Sequence, residues 1–391
     1  MQVPETPTIA PLDHISPSVY EASLKCRAKA TWYAQGNRRT LPDHPAAILG
    51  ICFHTVVAAS HYLSMTGESN AAREAARSLF DRKAATLYEN AHPLLKAKFS
   101  SPERLPYYNL YRERATLYAS QVVQNRRAGT ESNHRTTGPV SRRTEARLES
   151  TDGLIVGRPD YIDTDAQTIV DYKSGVSAID ETDAVSEAEM RQLRVYAYLA
   201  FENGLSVSKG VIVRGDGRRC QIEITKNEAD AEGSSAKAQL QAINGALTDD
   251  QSFDRLALAS AENCLMCPCL PFCETFWRES KAEWVEPCGL HVEGIVREVS
   301  SIIAQGVALV TLRIEPQRGT LNCTSAFIEQ IPEKWLTIEG AAIPRVGDVV
   351  RVVHARRSDA ELAVASLRVD KALTSLWSVL RSEETPAESD G

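Results

Sequence analysis

The stretch Gly157 to Gly175, GRPDYIDTDAQTIVDYKSG, constrains this chain more than any other. It belongs to a region whose apolar residues recur with a period of two. RTEARLES, the turn TDG and LIVGRPDYID read as a β-hairpin, and TIVDYKSG reads as a third short strand ended by Ser174-Gly175. Asp160 closes the strand that begins near Leu154. Asp171 and Lys173 are two apart, so they share one face of their strand. If the strands pair, two carboxylates and an ammonium meet at one point.

Such a meeting suits phosphodiester hydrolysis. Carboxylate oxygens are hard ligands for Mg²⁺ or Mn²⁺, to which the Tyr172 carbonyl can add a further oxygen. The ion polarises the phosphate and acidifies a water, while a lysine orients that water and offsets developing charge. Taken alone, the D-x-K triplet reads more readily as a solvated acidic edge with a lysine salt bridge.

The flanking sequence sets the architecture. The first ~125 residues read as mostly helical, with PAAILGICFHTVVAASHYL, NAAREAARSLFDRKAATLYENAH and LYRERATLYASQVVQNRR as the clearest segments. The polar stretch AGTESNHRTTGPVSRR reads as a loop. After the third strand come a helix (SEAEMRQLRVYAYLAFEN), a hairpin (SKGVIVRGDGRRCQIEIT) and another helix (EADAEGSSAKAQLQAINGAL). This order predicts an α/β fold, a mixed sheet flanked by helices. From about Glu286 the chain is β-rich. Five candidate strands, with IPEKWL as a short helix after the third, predict a small OB-like β-barrel. The expected domains are 1–285, 286–372, and a C-terminal piece, 373–391, made of a helix end and a disordered acidic tail, SEETPAESDG.

Four cysteines crowd the segment ENCLMCPCLPFCETFW, at Cys264, Cys267, Cys269 and Cys273. The N-terminal stretch has no secretory pattern and no apolar run nears the ~18 residues of a membrane helix. A cytoplasmic, reducing setting without membrane contact is therefore expected, in which clustered cysteines bind metal rather than each other. Structural zinc and an iron–sulfur cluster both take four thiolates, and the spacing alone does not choose between them. The formal net charge of −7 argues against a general nucleic-acid coat but allows a local basic groove. No G-x-x-x-x-G-K-[ST] loop is present, so the chain carries no recognisable NTP motor.

Gly157-x-x-Asp160, Asp171-Tyr172-Lys173 and Gln192-x-x-x-Tyr196, taken in this order, resemble the RecB-like branch of the PD-(D/E)XK nucleases. Gly50-x-x-x-His54 fits the glycine and histidine that relatives carry on an N-terminal helix. The resemblance implies a restriction-endonuclease-like core and a Mg²⁺ or Mn²⁺ site held by His54, Asp160, Asp171 and the Tyr172 carbonyl. Lys173 orients the attacking water in this reading, and Gln192 and Tyr196 hold the lysine and the DNA backbone. Glu145 fits either a supporting acid or a surface residue.

The resemblance extends to an iron–sulfur subset that includes CRISPR-associated adaptation exonucleases and AddB nuclease domains. There one N-terminal cysteine and a C-terminal C-x2-C-x5-C hold a [4Fe-4S] cluster. Cys264, Cys267 and Cys273 have that spacing, Cys26 matches the N-terminal position, and Cys269 is extra. The implied activity is a single-strand-preferring DNA exonuclease in repair, CRISPR adaptation or phage defence, working with a helicase or other partner. A non-catalytic binding subunit and an iron–sulfur redox protein are the alternatives. In the barrel, Arg297, Arg313, Arg318, Arg345, Arg351, Arg356 and Arg357 with Phe327 and Trp335 suit either nucleic-acid contact or protein packing.

Overall fold

The computed structural model describes residues 1–36, 41–60, 69–127, 142–175, 184–248, 251–357, 364–369 and 374–379. Six helices come first: α1 (Pro17–Lys25), α2 (Arg27–Ala34), α3 (Pro45–Ser60), α4 (Ser69–Glu89), α5 (Pro93–Lys98) and α6 (Tyr108–Arg127). Strands β1 (Arg142–Thr144), β2 (Leu148–Glu149), β3 (Val156–Gly157), β4 (Tyr161–Asp163) and β5 (Thr168–Lys173) follow, then α7 (Glu187–Glu202), β6 (Lys209–Arg214), β7 (Arg219–Glu223) and α8 (Lys226–Ala246). Short helices α9 (Phe253–Leu256), α10 (Glu274–Glu279) and α11 (Val285–Cys288) flank the cysteine segment.

Local chemistry fixes the helix starts. Ser186 and Glu189 close a capping box at the start of α7, and Thr225 with Glu228 does the same for α8. Ser16 caps α1 ahead of Pro17, whose missing N–H costs nothing there.

The central sheet has the order β1-β4-β5-β6-β7 and is mixed: β5 and β6 run parallel, and the other neighbours antiparallel. Alternation along β5 and β6 divides two cores. Ile169 and Ile212 join Leu193, Leu199 and Leu240 on the α1–α7–α8 side. Val170, Tyr172, Val211 and Val213 join Phe53, Phe80 and Tyr111 on the α3–α4–α6 side. The α/β expectation therefore stands, with helices on both faces.

The expected hairpin is split. β2 and β3 form their own two-stranded sheet, and Asp160 lies in the break where the chain leaves it to enter β4. Gly157, at the end of β3, packs closely on α7. A Cβ there would sit 2.8 Å from Leu199 Cδ1 and 3.1 Å from Tyr196 Cε1, so glycine lets the strand end pass against α7.

The C-terminal part consists of β8 (Leu290–Ala304), β9 (Val307–Gly319), β10 (Ser325–Pro332), α12 (Glu333–Leu336), β11 (Val349–Arg357), β12 (Val364–Arg368) and β13 (Ser375–Val379). The five strands and the short helix fall where the sequence puts them. Sheet order is β12-β10-β9-β8-β11-β13, and β12 also pairs with β11. Five strands thus make a closed circuit of pairings, with β10 and β12 parallel. The expected helix end after residue 372 is instead β13, which pairs with β11 and buries Leu376 and Trp377. Pairing with the distant β11 and burial of Ser375, Leu376 and Trp377 decide that outcome over local helix propensity. The acidic tail lies outside the described residues.

The two parts share one hydrophobic core, and Gln2 bridges to Ser378 of β13. At their junction Arg351, 2% exposed, donates to Glu293 Oε2 at 2.7 Å and to the Pro271 carbonyl at 2.7 Å, and it also pairs with Glu274. Its guanidinium lies 5.1 Å from the Trp277 ring. Among the described residues no helix is long and apolar enough to cross a membrane.

Candidate active site

A cleft of about 620 Å³ opens at the C-terminal ends of β5 and β6. His54, Asp160, Asp171, Tyr172, Lys173, Gln192 and Tyr196 all line it. The fold thus brings into one place residues drawn from α3, the β3–β4 break, β5 and α7.

Asp160 and Asp171 are held differently. Asp160 Oδ2 accepts the Tyr172 N–H at 2.7 Å, and its Oδ1 lies 3.3 Å from His54 Nδ1. Gly50 allows the approach of α3: a Cβ there would meet Ser174 Oγ at 3.1 Å. Asp171 is 4% exposed. Its Oδ1 accepts from Gln192 Nε2 at 3.1 Å. Its Oδ2 lies 2.8 Å from Lys173 Nζ, an ion-pair distance, yet has no hydrogen-bond partner of acceptable geometry among the described residues. A buried carboxylate oxygen left short of a donor is the kind of atom a cation satisfies.

Lys173 Nζ donates to Gln192 Oε1 at 2.7 Å, so the Gln192 amide bridges the lysine and Asp171. Tyr196 OH lies 3.5 Å from the same amide. Tyr172 turns its ring to the opposite face, where Tyr118 OH meets its hydroxyl at 2.6 Å.

The electrostatics follow from crowding acids in a half-dry cleft. Burial, reinforced by Asp160, raises the Asp171 carboxyl above its ordinary range despite Lys173. Burial opposes charge on His54, but its hydrogen bond to Asp160 and the nearby acids outweigh this and raise the imidazole overall. Glu145 is raised by burial and by Asp160, and its backbone N–H donates to the Asp160 carbonyl at 3.2 Å. It therefore sits beside the acids rather than on a remote surface. Two carboxylates, an imidazole and a lysine in one cleft can bind a divalent cation, orient a water and steady a phosphate. Among the described residues, no three His, Cys, Asp or Glu side chains already close tightly on a single metal position.

Other lining residues lie outside the nuclease motifs read in the sequence. Glu189 and Arg214 face the same cleft. Strand register alone finds Arg214, because it pairs with Lys173 across the β5–β6 ladder.

The cysteines gather away from this cleft. Cys26, between α1 and α2, lies within electrostatic reach of Cys264, Cys267, Cys269 and Cys273. Burial raises the Cys264 thiol to about 12 and also raises Cys26, Cys269 and Cys273. Cys267 is pulled down to about 7, chiefly by a hydrogen bond with Cys269, aided by Lys29. Cys288, isolated in sequence, is within reach of Cys264 and Cys267. Its neighbour His291 is a core histidine. Nδ1 accepts the His354 N–H at 3.1 Å, which leaves Nε2 to donate to the Cys288 carbonyl at 3.1 Å. Burial lowers His291 to about 3. Cys52, Cys220 and Cys323 stand elsewhere as free thiols.

Acids and a lysine gathered at the end of a mixed sheet are an arrangement that can support metal-assisted phosphodiester hydrolysis. A family model for the PD-(D/E)XK nuclease superfamily matches residues 14–274, and the chain belongs to that superfamily. No curated protein matches the chain.

Proposed function

We propose that the protein is a DNA nuclease of the RecB-like, iron–sulfur-bearing kind, acting as a single-strand-preferring exonuclease. The observation that carries this reading is the Gln192 amide joining Lys173 to Asp171, beside Asp160 and His54, in one open cleft. Asp160, Asp171, His54 and the Tyr172 carbonyl would hold Mg²⁺ or Mn²⁺. The ion supplies charge that polarises the phosphate and acidifies water. Lys173 aims the attacking water and balances charge as the phosphate reacts. Gln192 holds the lysine at that task, and Tyr196 borders the DNA backbone. A purely binding subunit has no use for so complete a set.

Cys26, Cys264, Cys267 and Cys273 would hold a [4Fe-4S] cluster. An all-thiolate, largely apolar setting supports this reading, and the cluster would staple the first helix to the end of the nuclease unit. Cys269 stays outside the four. The closed circuit β8-β9-β10-β12-β11, with its parallel pair, supports an OB-like barrel. Arg297, Arg313, Arg318 and Arg351 are paired with acids and Trp335 is buried, which favours packing onto the nuclease unit over a basic stacking groove. With no recognisable NTP-binding loop in this sequence, the reading has the enzyme work on frayed DNA or beside a helicase or a defence-complex subunit, in repair, CRISPR adaptation or phage defence.

The test is labelled single-stranded DNA, linear and circular, with Mn²⁺, wild type, Asp171→Ala and Lys173→Ala. Wild type alone should degrade the linear strand. Equal cleavage by all three proteins refutes the assignment, and cleavage of the circle refutes the exonuclease mode. Anaerobically purified protein should be coloured, Cys269→Ser should keep the colour and Cys26→Ser should lose it. A colourless wild type with stoichiometric zinc removes the iron assignment.

A further inference from the structure

We propose that Arg214, which lies outside every motif above, is a positioning residue for the cleft: with Glu189 it fixes the first turn of α7 so that Gln192 can bridge Lys173 and Asp171. The kinetic part of this inference rests on the nuclease reading, and the structural part does not.

Register supplies the first step. Lys173 and Arg214 are direct partners across a parallel ladder, so their side chains leave the sheet side by side and both reach the cleft. Two cations at that spacing repel, and a free guanidinium there would compete with Lys173 for Asp171. Arg214 is instead turned to α7. It pairs with Glu189 through both carboxylate oxygens, one contact being 3.0 Å, and its Nη2 donates to the Ala184 carbonyl at 3.2 Å. Both side chains are close to buried, 9% and 12% exposed, so the pair is shielded from solvent and held in one geometry.

Glu189 is also the acid of the α7 capping box, accepting from Ser186 N–H and Oγ at 2.9 Å each. One carboxylate thus ties the helix start to the end of β6. Gln192 follows it by three residues and lies on the same side of the helix. Its two amide contacts, 2.7 Å to Lys173 and 3.1 Å to Asp171, tolerate little sliding of α7. With its donors turned to Glu189 and Ala184, Arg214 is not placed to grip phosphate itself.

The test uses the full-length protein as Arg214→Met and as Arg214→Met/Glu189→Gln, which keeps a capping side chain and strands no buried charge. Gln192→Ala is made alone and combined with Arg214→Met. Cleavage of labelled DNA with Mn²⁺ should show kcat reduced roughly 10- to 100-fold by Arg214→Met, with KM nearly unchanged. In the Gln192→Ala background the same change should cost little more, because the residue it acts through is gone. Amide hydrogen exchange at residues 187–193 should quicken roughly tenfold or more in both Arg214 variants. A full further loss in the Gln192→Ala background overturns the proposal, as does a rise in KM at constant kcat, which means direct contact with DNA. Unchanged exchange in the double variant overturns it whatever the activity. A wild type that cleaves no DNA sinks the nuclease reading instead, and exchange then decides the positioning alone.

Discussion

Replacing Arg351 with methionine tests whether the C-terminal strands and the cysteine loop form one cooperative unit. The side chain is 2% exposed and makes three charge-assisted contacts, to Glu293, Glu274 and the Pro271 carbonyl. Methionine matches the aliphatic stem and can still lie against Trp277, so the loss is mainly electrostatic. Removing one partner of a buried ion pair costs about 3–5 kcal/mol, because the other charge is left without compensation. Glu293 retains Arg318, at 2.6 Å and 2.8 Å, so the lower end applies, about 3 kcal/mol.

At about 2–4 °C per kcal/mol for a unit of 150–250 residues, the melting temperature should fall by about 6–12 °C. Urea titration followed by the fluorescence of the five tryptophans, which include Trp277 beside the guanidinium, measures the loss. Arg351→Met/Glu293→Gln should lose less than the sum of the single changes, because the acid that was stranded is no longer charged. A loss below about 1 kcal/mol for Arg351→Met would refute the reasoning, since it would mean the node is solvated rather than buried. DNA cleavage per folded molecule should not change, because Arg351 does not line the cleft.

Gly157→Ala should destabilise the fold by about 1–3 kcal/mol, read as a lower urea midpoint, because its Cβ would press on Leu199 and Tyr196. Lys173→Met should lose about 10²–10³ in cleavage rate per folded molecule, as expected for a single group that steadies transition-state charge. Burial pushes the Glu274 carboxyl up, but Arg351 and Arg318 outweigh it and hold it below its ordinary value of 4.5. A depressed folded pKa stabilises above the unfolded value and fades as pH falls through the folded one. The stability gap between wild type and Arg351→Met, measured by urea titration across pH 3–7, should therefore be full at neutral pH and shrink in acid below about pH 4.5.

The cleft is legible in sequence where its geometry is local. Asp171 and Lys173 face one way because strands alternate, and Gln192 and Tyr196 do so because four residues make about one helical turn. Gly157 stands in the Gly-x-x-Asp motif without saying why glycine is needed; the answer, close packing against Tyr196 and Leu199, lies about 40 residues downstream. Arg214 is invisible because its meaning comes from strand register with Lys173, and Glu189 reads as a helix cap and nothing more. β13 fails for the same reason. Its short segment forms a strand only because β11 offers an edge and the core accepts Leu376 and Trp377. The pairing of Cys26 with a distant loop came from family likeness, since no spacing rule spans the intervening chain.

The connection between cysteine nest and cleft runs through α1. Cys26 ends that helix, and Glu21, one turn earlier, accepts from Arg191 through both carboxylate oxygens, at 2.8 Å and 3.0 Å. Arg191 immediately precedes Gln192, so α7 is braced twice within four residues, by Arg214 through Glu189 on the sheet side and by Glu21 on the α1 side. Bidentate arginine–carboxylate pairs fix orientation as well as distance. α7, which carries the amide that holds Lys173, is thus tied to α1 through Glu21. One helix, α1, thus ends at Cys26 and, through Glu21, contacts the helix that carries Gln192, although no cysteine lines the cleft.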